Sequence, residues 1–345
     1  MPEFEINGRM LGCKHPPYIV AELSANHNGS LETAVETIRA AKRSGADAIK
    51  LQTYTADTLT IDCNKSDFII NNGSIWDGKN FYELYKEAQT PWEWHYKLFE
   101  VAKDEGLVIF SSPFDKTAVD FLEELNVPAY KIASFEITDI PLIKYVASKG
   151  KPVILSTGIA TLEDIELAVS TIKSQKNDQI ALLKCTSSYP APLDEANLLM
   201  INELKNKFNV VTGLSDHTLG ITAPIVATSL GARIIEKHFI LDRSAGGPDA
   251  SFSINEKEFG VMVKSIREAE ACLGEIKYEL SEKQLKGKDF ARSLYAVEDI
   301  AEGDILTDQN IRSIRPGFGL HPKHYFRLIG KPAKFNYLRG NRIKE

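Results

Sequence analysis

A (β/α)8 barrel followed by a small, mostly β domain is the α/β architecture that this sequence predicts. Three observations carry the expectation. Short apolar runs alternate with amphipathic stretches through most of the chain. There are eight such runs, and eight parallel β/α units tend to close into a barrel. Beyond Gly274 the long helical periodicity stops, and short β-type runs with Gly and Pro punctuation take over. On pattern alone, a doubly wound open sheet is the alternative.

The expected strands are Tyr18–Leu23, Ala48–Thr53, Leu107–Ser112, Ala129–Ser134, Val153–Thr157, Ile180–Thr186, Val210–Ser215 and Arg233–Phe239. Helical patterns follow them. Ser30–Gly45 opens on a serine cap and closes on glycine, and Leu162–Lys173 and Glu256–Leu273 carry apolar residues three and four apart. The stretch from Ala56 to Gln89 is long for a βα connection, so it should be functional or hold extra elements. These readings give a catalytic barrel over 1–274, a polar, lysine-rich linker over 275–290 and a small domain over 291–345.

Composition narrows the function classes. The chain has 345 residues, 43% hydrophobic and 26% charged, as an ordinary globular enzyme has. A formal net charge of -6 argues against non-specific nucleic-acid binding, so an anionic substrate needs a local positive site. No apolar run is long enough for a membrane span, and the N-terminus lacks a signal-peptide pattern. Cys13, Cys63, Cys185 and Cys272 are widely spaced without a CxxC pair, which points to a reducing cytoplasm.

Barrel active sites lie at the C-terminal ends of the strands. Here those ends carry Glu22, Lys50, Gln52, Ser112, Lys131, Ser134, Ser156, Ser215, His217, Glu236 and His238, with Glu136 just beyond one of them. Strand residues two apart share a face. Lys50 pairs in this way with Gln52, Ser215 with His217, and Glu236 with His238. If these faces point inward, two imidazoles from adjacent strands meet at the mouth and suit a divalent metal. For either histidine alone, a hydrogen-bonded core role is the simpler account. Lysines inside apolar runs are costly to bury unpaired. Lys50 and Lys131, with the hydroxyls of Ser112, Ser134, Ser156 and Ser215, would form a phosphate site, whereas Lys184 and Lys237 read as stems snorkelling to water. GSIWDGKN (Gly73–Asn80) is a poor P-loop, because Trp76 fills its bend and Asn80 ends it. HPKH (His321–His324) reads as an exposed polar turn.

The motifs together resemble the sialic acid synthases. The stretches are AELSANHNG (Ala21–Gly29), KLQT (Lys50–Thr53), SSPFD (Ser111–Asp115), YKIASFE (Tyr130–Glu136), LSTGIA (Leu155–Ala160), CTSSYP (Cys185–Pro190), GLSDHTLG (Gly213–Gly220), EKHF (Glu236–Phe239) and GGPDA (Gly246–Ala250). AEGDILTDQNIRSIRPG (Ala301–Gly317) is similar to that family's antifreeze-like, or SAF, domain. The resemblance implies condensation of phosphoenolpyruvate with an aminosugar to a nonulosonic acid, with loss of phosphate through C–O cleavage. It makes His217 and His238 the ligands of a divalent metal, Mn2+ ahead of Mg2+ or Co2+. It puts Lys50, Ser112, Lys131, Ser134, Ser156, Ser187 and Ser215 around phosphoenolpyruvate, although Ser187 stands where some neuraminate synthases have Asn. Glu22, Gln52, Glu136, Tyr189 and Asp249 would face the sugar or a catalytic water, with Glu22 and Glu136 as the catalytic carboxylates. Arg315 would reach into a partner's barrel in a domain-swapped homodimer and hold an N-acetyl group.

Leu23–Ser24–Ala25, WDGKNFYELY (Trp76–Tyr85) and TPWEWH (Thr90–His95) resemble the subgroup whose sugar is a 2,4-diacetamido-2,4,6-trideoxy-altrose. Trp76, Trp92 and Trp94 would then give apolar surface to methyl and acetyl groups, with helix packing the alternative for the last two. A neuraminate- or legionaminate-forming enzyme is the near alternative, and a sugar-binding or coat-assembly protein without turnover is the distant one.

Overall fold

The apolar runs are hydrophobic on both faces because both faces are covered, one by helices and the other by the opposite wall of a barrel. In a computed structural model, which describes residues 2–345, the chain divides between Gly274 and Glu275 into two compact units. The first unit opens with an antiparallel hairpin, β1 (Glu3–Ile6) and β2 (Arg9–Gly12). Eight strands then follow: β3 (Tyr18–Glu22), β4 (Ala48–Thr53), β5 (Val108–Pro113), β6 (Tyr130–Ile132), β7 (Val153–Ser156), β8 (Ile180–Cys185), β9 (Val211–Asp216) and β10 (Ile234–His238). They form a closed barrel in sequence order, with β10 returning to pair in parallel with β3.

Alternation along the strands builds two kinds of interior. Outward-facing residues such as Ile19, Ile49, Leu51, Leu214 and Ile235 pack beneath the helices. Inward-facing residues near the N-terminal ends of the strands, including Tyr18, Val20, Phe110, Ile154 and Ile234, fill the lumen. The hairpin's Phe4, Ile6 and Leu11 join that same cluster and close the lower end of the barrel. Gly213 belongs to this crowded layer: a Cβ there would lie 2.3 Å from the Ile234 carbonyl oxygen and 2.7 Å from Leu183. Two residues further along the same faces the lumen becomes polar, which is where Lys50, Lys131, Ser215 and Glu236 stand.

Several expectations need correction. The hairpin was not expected at all. The run Ala129–Ser134 yields only a three-residue strand, because Ser134–Glu136 turns into a 3-10 helix. Lys237 does not snorkel. It is 0% exposed, its Nζ 2.5 Å from Asp216 Oδ2 and 2.6 Å from the Thr218 carbonyl oxygen. Because Glu236 and His238 face inward, Lys237 faces outward into the dry layer under the helices, and a buried ammonium there must be paired. Lys184 remains half-buried and bonds the Cys185 carbonyl and Thr186 Oγ1.

The expected serine cap is present, with Ser30 accepting from the Thr33 amide at the start of Leu31–Arg43. Asn255 adds an unforeseen capping box at the start of Glu256–Leu273. The long connection after β4 folds into short helical pieces, Ala56–Leu59, Ser66–Phe68 and Phe81–Ala88. Its GSIWDGKN stretch cradles no phosphate, because the Asp77 carboxylate already accepts the amides of Asn72, Gly73 and Ser74.

In the second unit, β11 (Ser293–Ala296) and β12 (Ile311–Ile314) pair antiparallel over a core that includes Leu294, Ile300, Leu306 and Tyr337. The polar stretch before them contains a short helix, Glu282–Lys286, capped by Ser281. His321 accepts from the Lys323 amide and His324 lies 3.0 Å from Glu345, so HPKH is a capped turn. All four cysteines are unpaired, and among the described residues no helix is long and apolar enough to cross a membrane.

Candidate active site

At the mouth of the barrel, one carboxylate gathers two ammonium groups. Glu236 Oε1 accepts from Ser215 Oγ at 2.8 Å and lies 3.4 Å from Lys131 Nζ and 3.6 Å from Lys50 Nζ. Lys50 Nζ also pairs with Glu22 Oε2 at 2.7 Å and stands 3.4 Å from Ser112 Oγ. Lys131 Nζ donates to Ser156 Oγ at 2.7 Å. All four charged side chains are buried. The register explains the meeting: Lys50 is beside Glu22 across β4 and β3, and Glu236 is beside Ser215 across β10 and β9.

Burial and pairing divide the charges unequally. Burial works to raise the Glu236 carboxyl, but Lys131, Lys50 and the Ser215 hydroxyl outweigh it and hold it at about 2. Burial raises Glu22 to about 7 despite the opposing pull of Lys50. Lys131 is pushed down by burial, which outweighs its carboxylate neighbours, whereas Lys50, facing both Glu22 and Glu236, is raised against burial.

The two histidines sit beside this cluster. Their ring centroids are 5.3 Å apart, and the Tyr189 ring lies 4.4 Å from His217. His217 Nδ1 is 2.9 Å from the Thr186 carbonyl oxygen, so this nitrogen carries a proton. Burial works to lower the His217 imidazole, but Cys185 and that carbonyl outweigh it and raise it. His238 Nδ1 is buried without a hydrogen-bond partner. Burial and the neighbouring His217 push the His238 imidazole well down, towards the neutral form a metal needs. These residues fit a divalent ion through two imidazole nitrogens, with other positions left to substrate and water. Among the described residues, no group of three or more His, Cys, Asp and Glu side chains converges as a complete metal cage.

A cavity of about 470 Å³ opens above the cluster. Gln52, Glu136, Tyr189 and Asp249 line its polar side, and Trp76, Phe81, Leu84 and Tyr85 from the long connection line an apolar side. Ser134 and Ser187 are bonded to each other at 2.8 Å. A Cβ at Gly158 would come within 2.1 Å of Ser187 Oγ and 2.7 Å of Ser134 Oγ, so only glycine fits beneath the pair.

The NeuB family pattern matches residues 37–278, and the SAF domain pattern matches residues 291–336. This chain belongs to the NeuB family. It is 51% identical to the pseudaminic acid synthase of Campylobacter jejuni over 95% of both chains. It is 49% identical to that of Helicobacter pylori over 94% of this chain and 96% of the relative. Among solved structures, the N-acetylneuraminic acid synthetase of Leptospira borgpetersenii, in complex with citrate, superimposes with a TM-score of 0.75 at 33% identity, covering 83% of this chain and 95% of that one.

In this NeuB barrel, Glu22, Lys50, Gln52, Ser112, Lys131, Ser134, Glu136, Ser156, Ser187, Tyr189, Ser215, His217, His238 and Asp249 cluster at or beside one mouth. Arg315 lies in the second unit, exposed, directly after β12. Trp76 lines the cavity and packs 5.5 Å from Tyr189, but Trp92 stacks on Phe121 and Trp94 meets His27 edge to face. Those two serve helix packing, not the sugar side. Strand parity alone turns Glu236 inward without giving it a role, and Ser24 reads from the sequence only as part of the subgroup-like Leu23–Ser24–Ala25 stretch. The signal for Glu236 was the presence of two lysines on inward faces, which require a counter-ion.

Glu136 makes the stability of the fold depend on pH. Its Oε2 is buried without a partner, and burial raises the carboxyl from 4.5 to about 7. Folding therefore takes up a proton here, and the stabilisation is full below about pH 4.5 and lost as pH rises through 7. Glu136→Gln, which cannot ionise, should gain stability relative to wild type between about pH 5 and pH 8. Urea unfolding midpoints at the two pH values measure this, and an unchanged difference would mean that Glu136 titrates normally.

Proposed function

We propose that this chain joins phosphoenolpyruvate to a 2,4-diacetamido-2,4,6-trideoxy-altrose, forming pseudaminic acid and inorganic phosphate. The observation that carries the reading is the buried pair Lys50 and Lys131, sharing Glu236 under a cavity with one polar and one apolar side. Two fixed ammonium groups ringed by hydroxyls suit the phosphate and carboxylate of phosphoenolpyruvate. The apolar side, with Trp76, Phe81 and Leu84, suits a 6-deoxy sugar carrying acetyl groups. The identity to two pseudaminic acid synthases supports the same sugar. The unpaired cysteines fit a reducing cytoplasm.

The enol carbon C3 of phosphoenolpyruvate is a weak nucleophile and needs a positioned electrophile. In this reading, Lys50, Lys131, Ser112, Ser156 and Ser215 hold the anion, with Ser134 and Ser187 bounding its seat. C3 attacks the C1 aldehyde of the open-chain sugar, and Glu136 supplies a proton to the resulting C1 oxygen. Positive charge develops at C2 of the former phosphoenolpyruvate. Water adds there and Glu22 takes its proton. The C2–O bond to phosphate then breaks as the C2 hydroxyl gives its proton to the departing phosphate, leaving the 2-keto acid and inorganic phosphate. Both carboxyls are raised to about 7, the range that serves proton transfer at neutral pH. A divalent metal, Mn2+ ahead of Mg2+ or Co2+, would be held by His217 and His238 and would supply Lewis-acid polarisation of the aldehyde. Gln52, Tyr189 and Asp249 orient the sugar.

The sugar assignment is tested by phosphate release with phosphoenolpyruvate and a panel of hexosamines. A site shaped for the methyl and second acetamido group should favour the diacetamido sugar over N-acetylmannosamine by about 10–200-fold in kcat/KM. Higher efficiency with N-acetylmannosamine would overturn the sugar and leave the condensation standing.

For Arg315 the reading rests on the SAF resemblance: the arginine reaches an N-acetyl group in a partner's barrel, within a closed two-fold dimer. Mixing an Arg315→Ala chain with a Lys131→Ala chain should restore activity as mixed dimers gain one intact site. No restoration after proven subunit exchange would place Arg315 in cis or outside catalysis.

A further inference from the structure

Seven non-glycine residues among those described have positive φ. Six of them (Asn7, Asn28, Asn126, Lys176, Asn197 and Asn209) are exposed, and five of these are asparagine, the residue for which a left-handed backbone costs least. The seventh is Ser24, at φ 47° and 3% exposure. A buried serine in this region is strained, and such strain persists only where the surroundings over-determine it. Glycine would take the same backbone conformation freely but would bring no hydroxyl.

The hydroxyl is fully engaged. Ser24 Oγ donates to Asp249 Oδ2 at 2.5 Å and accepts from Gln52 Nε2 at 2.9 Å. Gln52 Nε2 gives its other proton to Glu22 Oε1 at 3.1 Å, and Asp249 Oδ2 also accepts the Ala25 amide at 3.3 Å. Both amide protons of Gln52 are thereby used, and its orientation follows, since Glu22 needs a donor opposite it. What remains for the cavity, which both residues line, is the amide oxygen of Gln52 and the other oxygen of Asp249. Both are acceptors.

We propose that Ser24 is a positioning residue for the sugar: its hydroxyl locks Gln52 and Asp249 so that Gln52 Oε1 and Asp249 Oδ1 form a two-acceptor wall for hydroxyl or amide N–H groups of the substrate. This rests on the aminosugar reading above and deepens it. Without the hydroxyl, the Gln52 amide is free to rotate and Asp249 loses its shortest tether, so the sugar should bind less well while the phosphoenolpyruvate seat, built on other residues, is untouched.

The experiment is steady-state kinetics of wild type, Ser24→Gly and Ser24→Ala with both substrates varied, alongside melting temperatures. Both variants should raise the sugar KM by about tenfold, the scale of one lost hydrogen bond. The phosphoenolpyruvate KM should stay within about twofold, a window well below that tenfold effect. Ser24→Gly, which relieves the backbone strain, should melt above Ser24→Ala, separating binding from folding. An unchanged sugar KM in both variants overturns the proposal, as does an equal rise in both KM values. If wild type instead turns over another aminosugar, the substrate reading fails, and the Ser24 comparison is decided on the KM of that sugar.

Discussion

Two ammonium groups buried around one carboxylate constrain everything else at the mouth of this barrel. A lysine facing a closed lumen is tolerated only if its charge is answered nearby, and Glu236 answers two at once, 3.4 Å from Lys131 and 3.6 Å from Lys50. Glu22 answers Lys50 a second time. That arrangement is possible because the barrel register brings the ends of β3, β4, β6 and β10 to one level, and because the hairpin and the lower lumen residues hold the other end closed with apolar side chains.

The same constraint connects electrostatics to chemistry. Charge pairing keeps Glu236 ionised, while burial leaves Glu22 and Glu136 near neutrality in their titration. One mouth therefore holds a fixed anion, two fixed cations and two carboxyls able to exchange protons at working pH. Behind the histidines, Asp216 and Lys237 are bonded across β9 and β10 in the dry outer layer, so the strand ends that carry His217 and His238 are tied together from outside. Removing one partner of such a pair typically costs about 3–5 kcal/mol, because the other is left buried and uncompensated.

Much of this was legible in the sequence, because strand parity is a strict rule. The pairings Lys50 with Gln52, Ser215 with His217, and Glu236 with His238 follow from residue spacing alone, and all three sets face the lumen. The same parity should have sent Lys237 outward, but whether an outward lysine reaches water depends on helix cover, which spacing does not reveal. The hairpin left a signal in Asn7–Gly8, a two-residue turn with φ of 48° and 83°, set between the apolar Phe4 and Ile6 and the apolar Leu11. The positioning role of Ser24 left none, since its backbone conformation and its partner Asp249 are set by contacts far away in sequence. Trp92 and Trp94 look from sequence like Trp76, and only their position on a packed helix separates them.

If the lysine pair is the anion seat, removing one of its ammonium groups must weaken the binding of phosphoenolpyruvate. Calorimetric binding of phosphoenolpyruvate to Lys131→Met tests it most directly, because Glu236 keeps Lys50 and Ser215 as partners in that variant. Affinity for phosphoenolpyruvate should fall by about a hundredfold, the scale of one lost buried charge contact. Affinity equal to that of wild type would contradict it.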